Sequence, residues 1–109
     1  MVPPDPSRGE VWDIRFPAIG DHPAVVLSVN PLNARLGHVA VVPITATSGP
    51  ALTHVPLTAD AGLTRYGESH ADITALQPVA RGRLLRRRGL LARAELARME
   101  DLIRTYLGL

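Results

Sequence analysis

The chain has 109 residues, of which 46% are hydrophobic and 20% are charged, with a formal net charge of +2 at pH 7 and no cysteine. This length and composition predict one globular domain and exclude a disordered chain. The lack of cysteine excludes disulfides and cysteine-ligated zinc, and no apolar run approaches the roughly 20 residues that span a bilayer. Residues 1–10 lack the features of a signal peptide, so we predict a cytoplasmic protein with no membrane partner.

Short strands are predicted first along the chain, after a loose proline-rich lead over residues 1–7. Residues 16–23 are predicted as a loop and residues 30–37 as a turn or a single helical turn. Pro43 lies inside the third strand and predicts an edge position or a bulge, because proline has no amide hydrogen for the ladder. From their alternation and β-branched content, the strands are placed over residues 9–16, 24–29, 38–45, 53–58 and 70–78.

A helix is predicted over residues 93–107. Glu95 falls in its first turn, where an acid is favoured, and Gly108 suits its C-terminal end. The apolar stripe of this helix is predicted to consist of Leu96, Met99, Ile103 and Tyr106. Strands followed by one helix predict a mainly β fold, a small barrel or curled sheet with a C-terminal α-helix. Residues 8–109 form a single domain in this interpretation.

The basic residues are concentrated in the second half of the chain. Residues 1–49 carry three arginines against four acids, whereas residues 50–109 carry nine arginines against six acids. Five of those nine lie in RGRLLRRR, residues 81–88. Such a block favours a polyanionic partner, and a solvated basic face is the alternative.

Motifs for metals and cofactors are missing from the sequence. It contains no glycine-rich phosphate loop, no H-E-x-x-H and no EF-hand loop. The histidines at positions 22, 38, 54 and 70 form no i,i+3 or i,i+4 pair. We therefore predict neither a cofactor nor a metal.

The order of several segments resembles the MazF/PemK/Kid family of toxin ribonucleases. The segments are RGEVWDI, HPAVVLSVN, VAVVPITATSG, THVPL, DITALQPVARGRLLRRRGLL and AELARMEDLIRTYLGL, which together cover residues 8–109. The resemblance implies a small SH3-like, PemK-type barrel with a C-terminal helix, assembled as a homodimer. It also implies metal-independent cleavage of single-stranded RNA, often at short sequence motifs, and inhibition by a cognate antitoxin protein.

The resemblance implies two catalytic positions. A threonine at the end of the third strand matches Thr45, and an arginine before the proline that opens the second strand is replaced here by His22. Histidine keeps a hydrogen-bond donor and can transfer a proton near neutral pH, so we expect His22 to act as general acid or base. A further family threonine falls at or near Pro78, so its hydroxyl is missing here.

RNA contacts are expected around these two residues. Thr47 and Ser48 follow Thr45 directly and are predicted to bind phosphate, as are Arg81 and Arg83. Residues 86–88 are predicted to contact either RNA or the antitoxin. Specificity is expected in loops over residues 17–22, 46–52 and 59–69.

Three alternatives to this catalytic role remain open. His22 is equally explained as a turn histidine packed on its own loop. The two departures from the family pattern also fit a catalytically degenerate member that binds only RNA or antitoxin. A related toxin family with this fold inhibits DNA gyrase, often through a tryptophan at the end of the last helix, whereas this chain ends in RTYLGL.

Overall fold

The computed structural model describes residues 5–58 and 69–109. Its elements in chain order are β1 (Glu10–Phe16), β2 (Gly20–Val26), α1 (Asn30–Asn33), β3 (His38–Thr45), β4 (His54–Leu57), β5 (Ser69–Asp72), β6 (Gln77–Ala80), β7 (Leu84–Leu90) and α2 (Arg93–Leu107). Single turns of 3₁₀ helix lie at Ile73–Ala75 and Arg81–Arg83. The mainly β chain with a C-terminal helix, predicted from the pattern of segments, is confirmed.

All strand pairs of the sheet are antiparallel. The strand order is β4-β5-β3-β2-β1-β7, and β6 also pairs with β3. β5 and β6 therefore follow one another along the same edge of β3, with β5 on residues 44–45 and β6 on residues 38–41. β3 is therefore paired along both of its edges, with β2 on one side and with β5 and β6 on the other.

Side-chain alternation along the strands separates two hydrophobic clusters on opposite faces of the sheet. On β1, Trp12, Ile14 and Phe16 belong to one cluster, whereas Val11 belongs to the other. The first cluster is completed by residues of β2, β3 and β6, with Leu84 packed against it. The Val11 cluster also includes side chains from β4 and α2. One face of the sheet is therefore covered by the C-terminal helix.

The helix α2 spans the residues that the sequence predicts. The Glu95 side chain accepts hydrogen bonds from the backbone amides of Ala92 at 3.1 Å and Thr58 at 2.7 Å, and so fixes the start of the helix. Gly108 ends it with a φ of 71°. Met99 and Leu102 are its buried residues. Tyr106, predicted within the apolar stripe, is instead 53% exposed because the last turn extends past the buried cluster.

Two of the predicted strands differ clearly in extent from the structure. β2 runs from Gly20 to Val26 rather than over residues 24–29, so most of the predicted 16–23 loop is strand and residues 27–29 are not. The predicted strand over 70–78 is interrupted after β5, because the Asp72 carboxylate accepts hydrogen bonds from the Thr74 amide at 3.0 Å and its hydroxyl at 2.7 Å. Such local bonds compete with the strand ladder. β7 was not predicted, since three consecutive arginines hide its alternation.

Pro43 does not lie in an edge strand, because β3 is paired on both sides. On the side of β5 and β6, however, the pairing passes from Val41 to Ile44, so Pro43 falls in a gap between the two partners. A residue without an amide hydrogen is accommodated there without losing a ladder bond.

Within the described ranges, no helix has the length and apolar character needed to cross a membrane.

Candidate active site

A cleft of about 830 Å³ lies across β7, β1, β2 and β3, which follow one another in the sheet. Its lining combines apolar side chains with acids, arginines, a histidine and a threonine. The residues that line it are Asp13, Ile19, Asp21, His22, Pro23, Pro43, Ile44, Thr45, Ala46, Ser69, Leu85, Arg86 and Arg88. The cleft therefore brings together His22 and Thr45, the two catalytic residues expected from the sequence.

A proline explains why the sheet opens at this point. The pairing of β2 with β3 ends at Ala24 and Pro43. Pro23 is next along β2 and has no amide hydrogen with which to continue the ladder toward β3. If the same register continued for two more residues, His22 would lie opposite Thr45. The two side chains thus belong to strand ends that lie next to each other and are not joined by ladder pairs.

His22 lies in β2, where it pairs with Ile14 of β1. The prediction of a loop at this position is therefore wrong, and so is the interpretation of His22 as a turn histidine packed on its own loop. The side chain is exposed and lines the cleft. A strand holds the backbone of His22 more rigidly than a loop would, and the imidazole can reach a ligand.

Thr45 is the last residue of β3 and pairs with His70 of β5. Its hydroxyl oxygen accepts a hydrogen bond from the backbone amide of Thr47 at 3.1 Å. Because that bond uses a lone pair of the oxygen, the hydroxyl hydrogen remains available to donate. His70 is 7% exposed and closes the far side of Thr45.

Three charged side chains form an ion-pair network in the cleft. Asp13 receives hydrogen bonds from Arg86 at 3.2 Å and from Arg88 at 3.0 Å. Asp13 and Arg88 are 21% and 25% exposed, whereas Arg86 is 70% exposed. The network therefore presents one solvent-facing guanidinium above a half-buried ion pair.

Of the loop after Thr45, Ala46 lines the cleft, whereas Thr47 and Ser48 do not. Thr47 and Ser48, predicted to bind phosphate, are exposed in this loop. The loop is fixed by Gly49, against which the His54 ring packs so closely that an added Cβ would come within 2.4 Å of its Cε1 atom. His54 Nε2 also lies 3.9 Å from an oxygen of Asp72. This geometry agrees with a structural role for His54.

Arg81 and Arg83, also predicted to bind phosphate, do not line the cleft. Arg81 forms an ion pair with Asp5, and Arg83 donates to the backbone oxygen of Arg15 at 3.4 Å. Pro78, at the position of the missing family hydroxyl, is exposed in β6 and also lies outside the lining. Residues 59–68, which include most of a loop predicted to set specificity, are outside the described residues.

Sequence reasoning missed the roles of Asp13, Ile19 and Leu85 in the cleft. Asp13 is a half-buried acid on the face of β1 where the alternation places Val11, and that departure was a usable signal. Ile19 and Leu85 are 56% and 43% exposed, so they offer apolar surface at the cleft. Their joint placement depends on strand register and has no local signature.

Comparison with known proteins identifies the family. The model of the PemK-like, MazF-like toxins of type II toxin–antitoxin systems matches residues 7–107. The chain therefore belongs to this toxin family. A comparison with curated protein sequences gives no significant match.

Solved structures of the same fold include toxins with and without antitoxin. An endoribonuclease in complex with its cognate antitoxin from a mycobacterial species is 23% identical, with a TM-score of 0.85 over 95% of this chain and 96% of that chain. The Mycobacterium tuberculosis toxin MazF-mt6 is 23% identical, with a TM-score of 0.80 over 92% and 97%. A MazE–MazF complex from Deinococcus radiodurans is 21% identical, with a TM-score of 0.82 over 98% and 99%. The expected PemK-type fold is thus confirmed.

Proposed function

We propose that this protein is a toxin endoribonuclease that cleaves single-stranded RNA without a metal ion and selects short sequence motifs. The observation that carries the proposal is the meeting of His22 and Thr45 in one open cleft that also contains two arginines. Membership of the toxin family supports the reaction class. The proton-transfer group, the hydroxyl donor and the positive charge are all supplied by the chain itself.

The proposed reaction is an attack by the ribose 2′-oxygen on the adjacent phosphorus. The new bond joins the 2′-oxygen to phosphorus, the bond from phosphorus to the 5′-oxygen breaks, and the products end in a 2′,3′-cyclic phosphate and a 5′-hydroxyl. One proton leaves the 2′-hydroxyl and one is delivered to the departing 5′-oxygen. His22 performs one of these transfers as general acid or base, and solvent in the open cleft performs the other.

Thr45 stabilises the charge that develops on the phosphate. Its oxygen already accepts from the Thr47 amide, and the hydroxyl hydrogen is left to donate to a ligand in the cleft. A donor held in this way stabilises an oxyanion without reorganising during the reaction. The family arginine would supply a fixed fork of donors at position 22, whereas histidine supplies a donor that can also transfer a proton.

RNA on either side of the scissile bond is proposed to contact the residues around the cleft. Thr47 and Ser48 lie two and three residues beyond Thr45 in the exposed loop. Arg83 contacts the backbone of Arg15, which itself pairs with Asp21 at the edge of the cleft. We place Thr47, Ser48, Arg81 and Arg83 along the path of the flanking phosphates.

The proposed partners are a cognate antitoxin and a second copy of the chain. The matched family consists of toxins of toxin–antitoxin systems, which supports an antitoxin partner. Large apolar side chains exposed on α1 and at the C-terminus, among them Leu32 at 48% and Leu109 at 85%, support an additional interface. We propose a homodimer that acts in the cytoplasm, where its messenger RNA substrates are present.

Cleavage of a long unstructured RNA by the purified protein in excess EDTA tests the proposal. His22→Ala and Thr45→Ala are assayed beside the wild type, with circular dichroism and size exclusion as checks of folding and assembly. The wild type is expected to cleave, to leave 2′,3′-cyclic phosphate ends, and to lose on the order of 100-fold or more in rate in each variant.

Failure of the folded wild type to cleave would overturn the enzyme assignment. RNA or antitoxin binding without cleavage would then identify a catalytically degenerate member of the family that only binds. The replacement of the family arginine by His22 would account for its lost activity. Cleavage that requires an added divalent metal would contradict the mechanism alone. A DNA gyrase supercoiling assay, run in parallel, tests the remaining alternative, which is that the protein inhibits DNA gyrase.

A further inference from the structure

The register of β7 against β1 sorts three consecutive arginines onto two faces of the sheet. Arg87 is opposite Trp12 and donates to Glu10 at 2.5 Å. Arg86 is opposite Asp13, and β7 has an extra residue, Arg88, where the register shifts between Val11 and Trp12. Such a bulge changes the direction of the extra side chain, and Arg88 here also donates a hydrogen bond to Asp13. Two of the three arginines therefore belong to the cleft.

The two arginines on Asp13 differ in exposure and in the bonds that they form. Arg88 Nη1 approaches both Asp13 oxygens, at 3.0 and 3.4 Å, and this half-buried pair is electrically neutral. Arg86 contacts Asp13 through Nη2 alone at 3.2 Å, and its side chain is 70% exposed. Of the two arginines that donate to Asp13, Arg86 is therefore the one that presents its charge to solvent.

We infer that Arg86 is a phosphate-binding residue of the RNA cleft and that Asp13 and Arg88 position its guanidinium. The inference rests on the proposed function, since it assigns the substrate contact of that same cleft. Arg86 would then supply from β7 the fork of phosphate donors that the replacement of arginine by His22 removes from β2. The ligand is an RNA phosphodiester near the scissile bond.

The arrangement favours a polyanion over an uncharged ligand. A lone exposed arginine loses side-chain entropy on binding, but a guanidinium already held by a carboxylate loses less. Asp13 accepts from one nitrogen of Arg86, and the other nitrogens of this planar group, which lines the cleft, do not donate to Asp13. His22 and Thr45 line the same cleft, so a chain bound at Arg86 would place neighbouring phosphates beside them.

Arg86→Gln and Arg87→Gln form a matched pair for the test. Both variants remove one charge from the same strand, but only Arg86 lines the cleft. The probe is 2′-O-methyl single-stranded RNA of mixed sequence, which binds but offers no 2′-hydroxyl for attack. Its dissociation constant is measured over a series of salt concentrations, so binding is read independently of cleavage.

Arg86→Gln is expected to weaken binding on the order of tenfold and to reduce the slope of log affinity against log salt by about 0.7. Arg87→Gln is expected to change the affinity less than about twofold. Arg86→Lys restores the salt slope but not the cleavage rate on unmodified RNA, because an ammonium lacks the planar fork. Equal effects of Arg86→Gln and Arg87→Gln, or no binding of the probe by the wild type, would overturn the inference.

Asp13→Asn tests whether Asp13 positions Arg86, because the substitution is expected to affect kcat and KM differently. Removing an acid from an RNA cleft should by charge alone strengthen binding, so KM is expected to stay or fall. If Asp13 holds Arg86 in place, kcat falls on the order of tenfold at the same time. A variant with normal kcat and a normal thermal midpoint would overturn the role of Asp13.

The two proposals fail in distinguishable ways. Wild-type protein that binds the probe through Arg86 but cleaves no RNA would contradict the ribonuclease proposal and leave the phosphate site standing. Wild-type protein that cleaves RNA while Arg86→Gln binds and cleaves like Arg87→Gln would contradict the phosphate site and leave the ribonuclease standing.

Discussion

The same face of the sheet has two different ends, one covered by helix α2 and one open as the cleft. Along β1 this face passes from Val11, which is fully buried, through Asp13, which is 21% exposed, to Arg15, which is 61% exposed. At the covered end the side chains are apolar and pack on Met99 and Leu102. At the open end the same alternation carries charges.

The residues that stabilise the domain and the residues proposed to act on RNA thus lie at different ends of one small sheet. The covered end contains the apolar contacts that hold the domain together, whereas the open end holds polar groups that form few contacts with the core. Substitutions at the two ends should therefore have opposite signatures. Substitutions at the covered end should lower the free energy of unfolding and leave the cleavage rate unchanged. Substitutions at the open end should lower the cleavage rate and leave the free energy of unfolding nearly unchanged.

Met99→Ala is expected to have the largest effect, at the covered end. Met99 is fully buried between the helix and the sheet, and removing its side chain should lower the free energy of unfolding by about 3 kcal/mol. Urea unfolding measures the loss, and the cleavage rate of the still-folded variant at low temperature should equal that of the wild type. A loss below about 1 kcal/mol would mean that the helix is not packed on this cluster.

Thr45→Val is the corresponding change at the open end. It removes the hydroxyl but keeps the side-chain shape, so we expect the single-turnover cleavage rate to fall about 100-fold. The free energy of unfolding should fall by no more than about 1 kcal/mol, for the lost bond from the Thr47 amide. Thr45→Ser keeps the hydroxyl and serves as control. Equal rates for the serine and valine variants would contradict the role of the hydroxyl.

Glu10→Gln probes the pairing of β1 with β7 on the opposite face of the sheet, through the pH dependence of stability. Burial raises the pKa of Glu10, but hydrogen bonds from the Ser7 amide, Arg87 and Trp12 outweigh it, so the pKa lies below its usual value of 4.5. The ionised carboxylate therefore stabilises the fold above about pH 5, and this contribution is lost as the pH falls below 4.5 through the lowered pKa.

We expect Glu10→Gln to be less stable than the wild type by about 1–2 kcal/mol near pH 7. The difference should shrink on acidification, because protonation removes the same bonds from the wild type. Urea unfolding of both proteins at neutral and at acidic pH measures this. A difference that does not change with pH would contradict the assignment of the ionised form.

Gly108→Ala is expected to have the smallest effect. The φ of 71° at this residue disfavours a side chain, so ending the helix with alanine should cost about 1 kcal/mol. Gly82 has no atoms within 4 Å of an added Cβ and no positive φ, so Gly82→Ala is the matched control. Thermal unfolding compares the two variants, and equal midpoints would show that the C-terminal turn does not contribute to the covered end.

The covered end could be predicted from the sequence to a greater degree than the open one. The helix over 93–107 was recognisable because periodicity and local end signals define a helix within a few residues. The cleft depends on contacts between distant segments. His22 was predicted in a loop because Pro23 resembles a turn signal, yet its strand is fixed by pairing with β1. The association of Asp13 with Arg86 follows from a β7 register that contains bulges, which has no local sequence signal.

The family resemblance supplied what local patterns lacked, since it pointed to position 22 and to Thr45 before any geometry was known. It did not point to Asp13, and it left residues 86–88 open between contacts with RNA and with the antitoxin. The association of Asp13 with Arg86 and Arg88 depends on how this particular chain pairs β1 with β7, so it required the structure.

The central claim, that His22 transfers a proton in the cleft, is tested most directly by the pH dependence of cleavage in the wild type and in His22→Arg. The arginine variant restores the residue that the family resemblance places there, and arginine does not titrate in this range. We expect the wild-type rate to bend between about pH 5.5 and 8, and the variant to retain cleavage with a profile in which that bend is absent. The same bend in both proteins, or none in either, would contradict the assignment of His22.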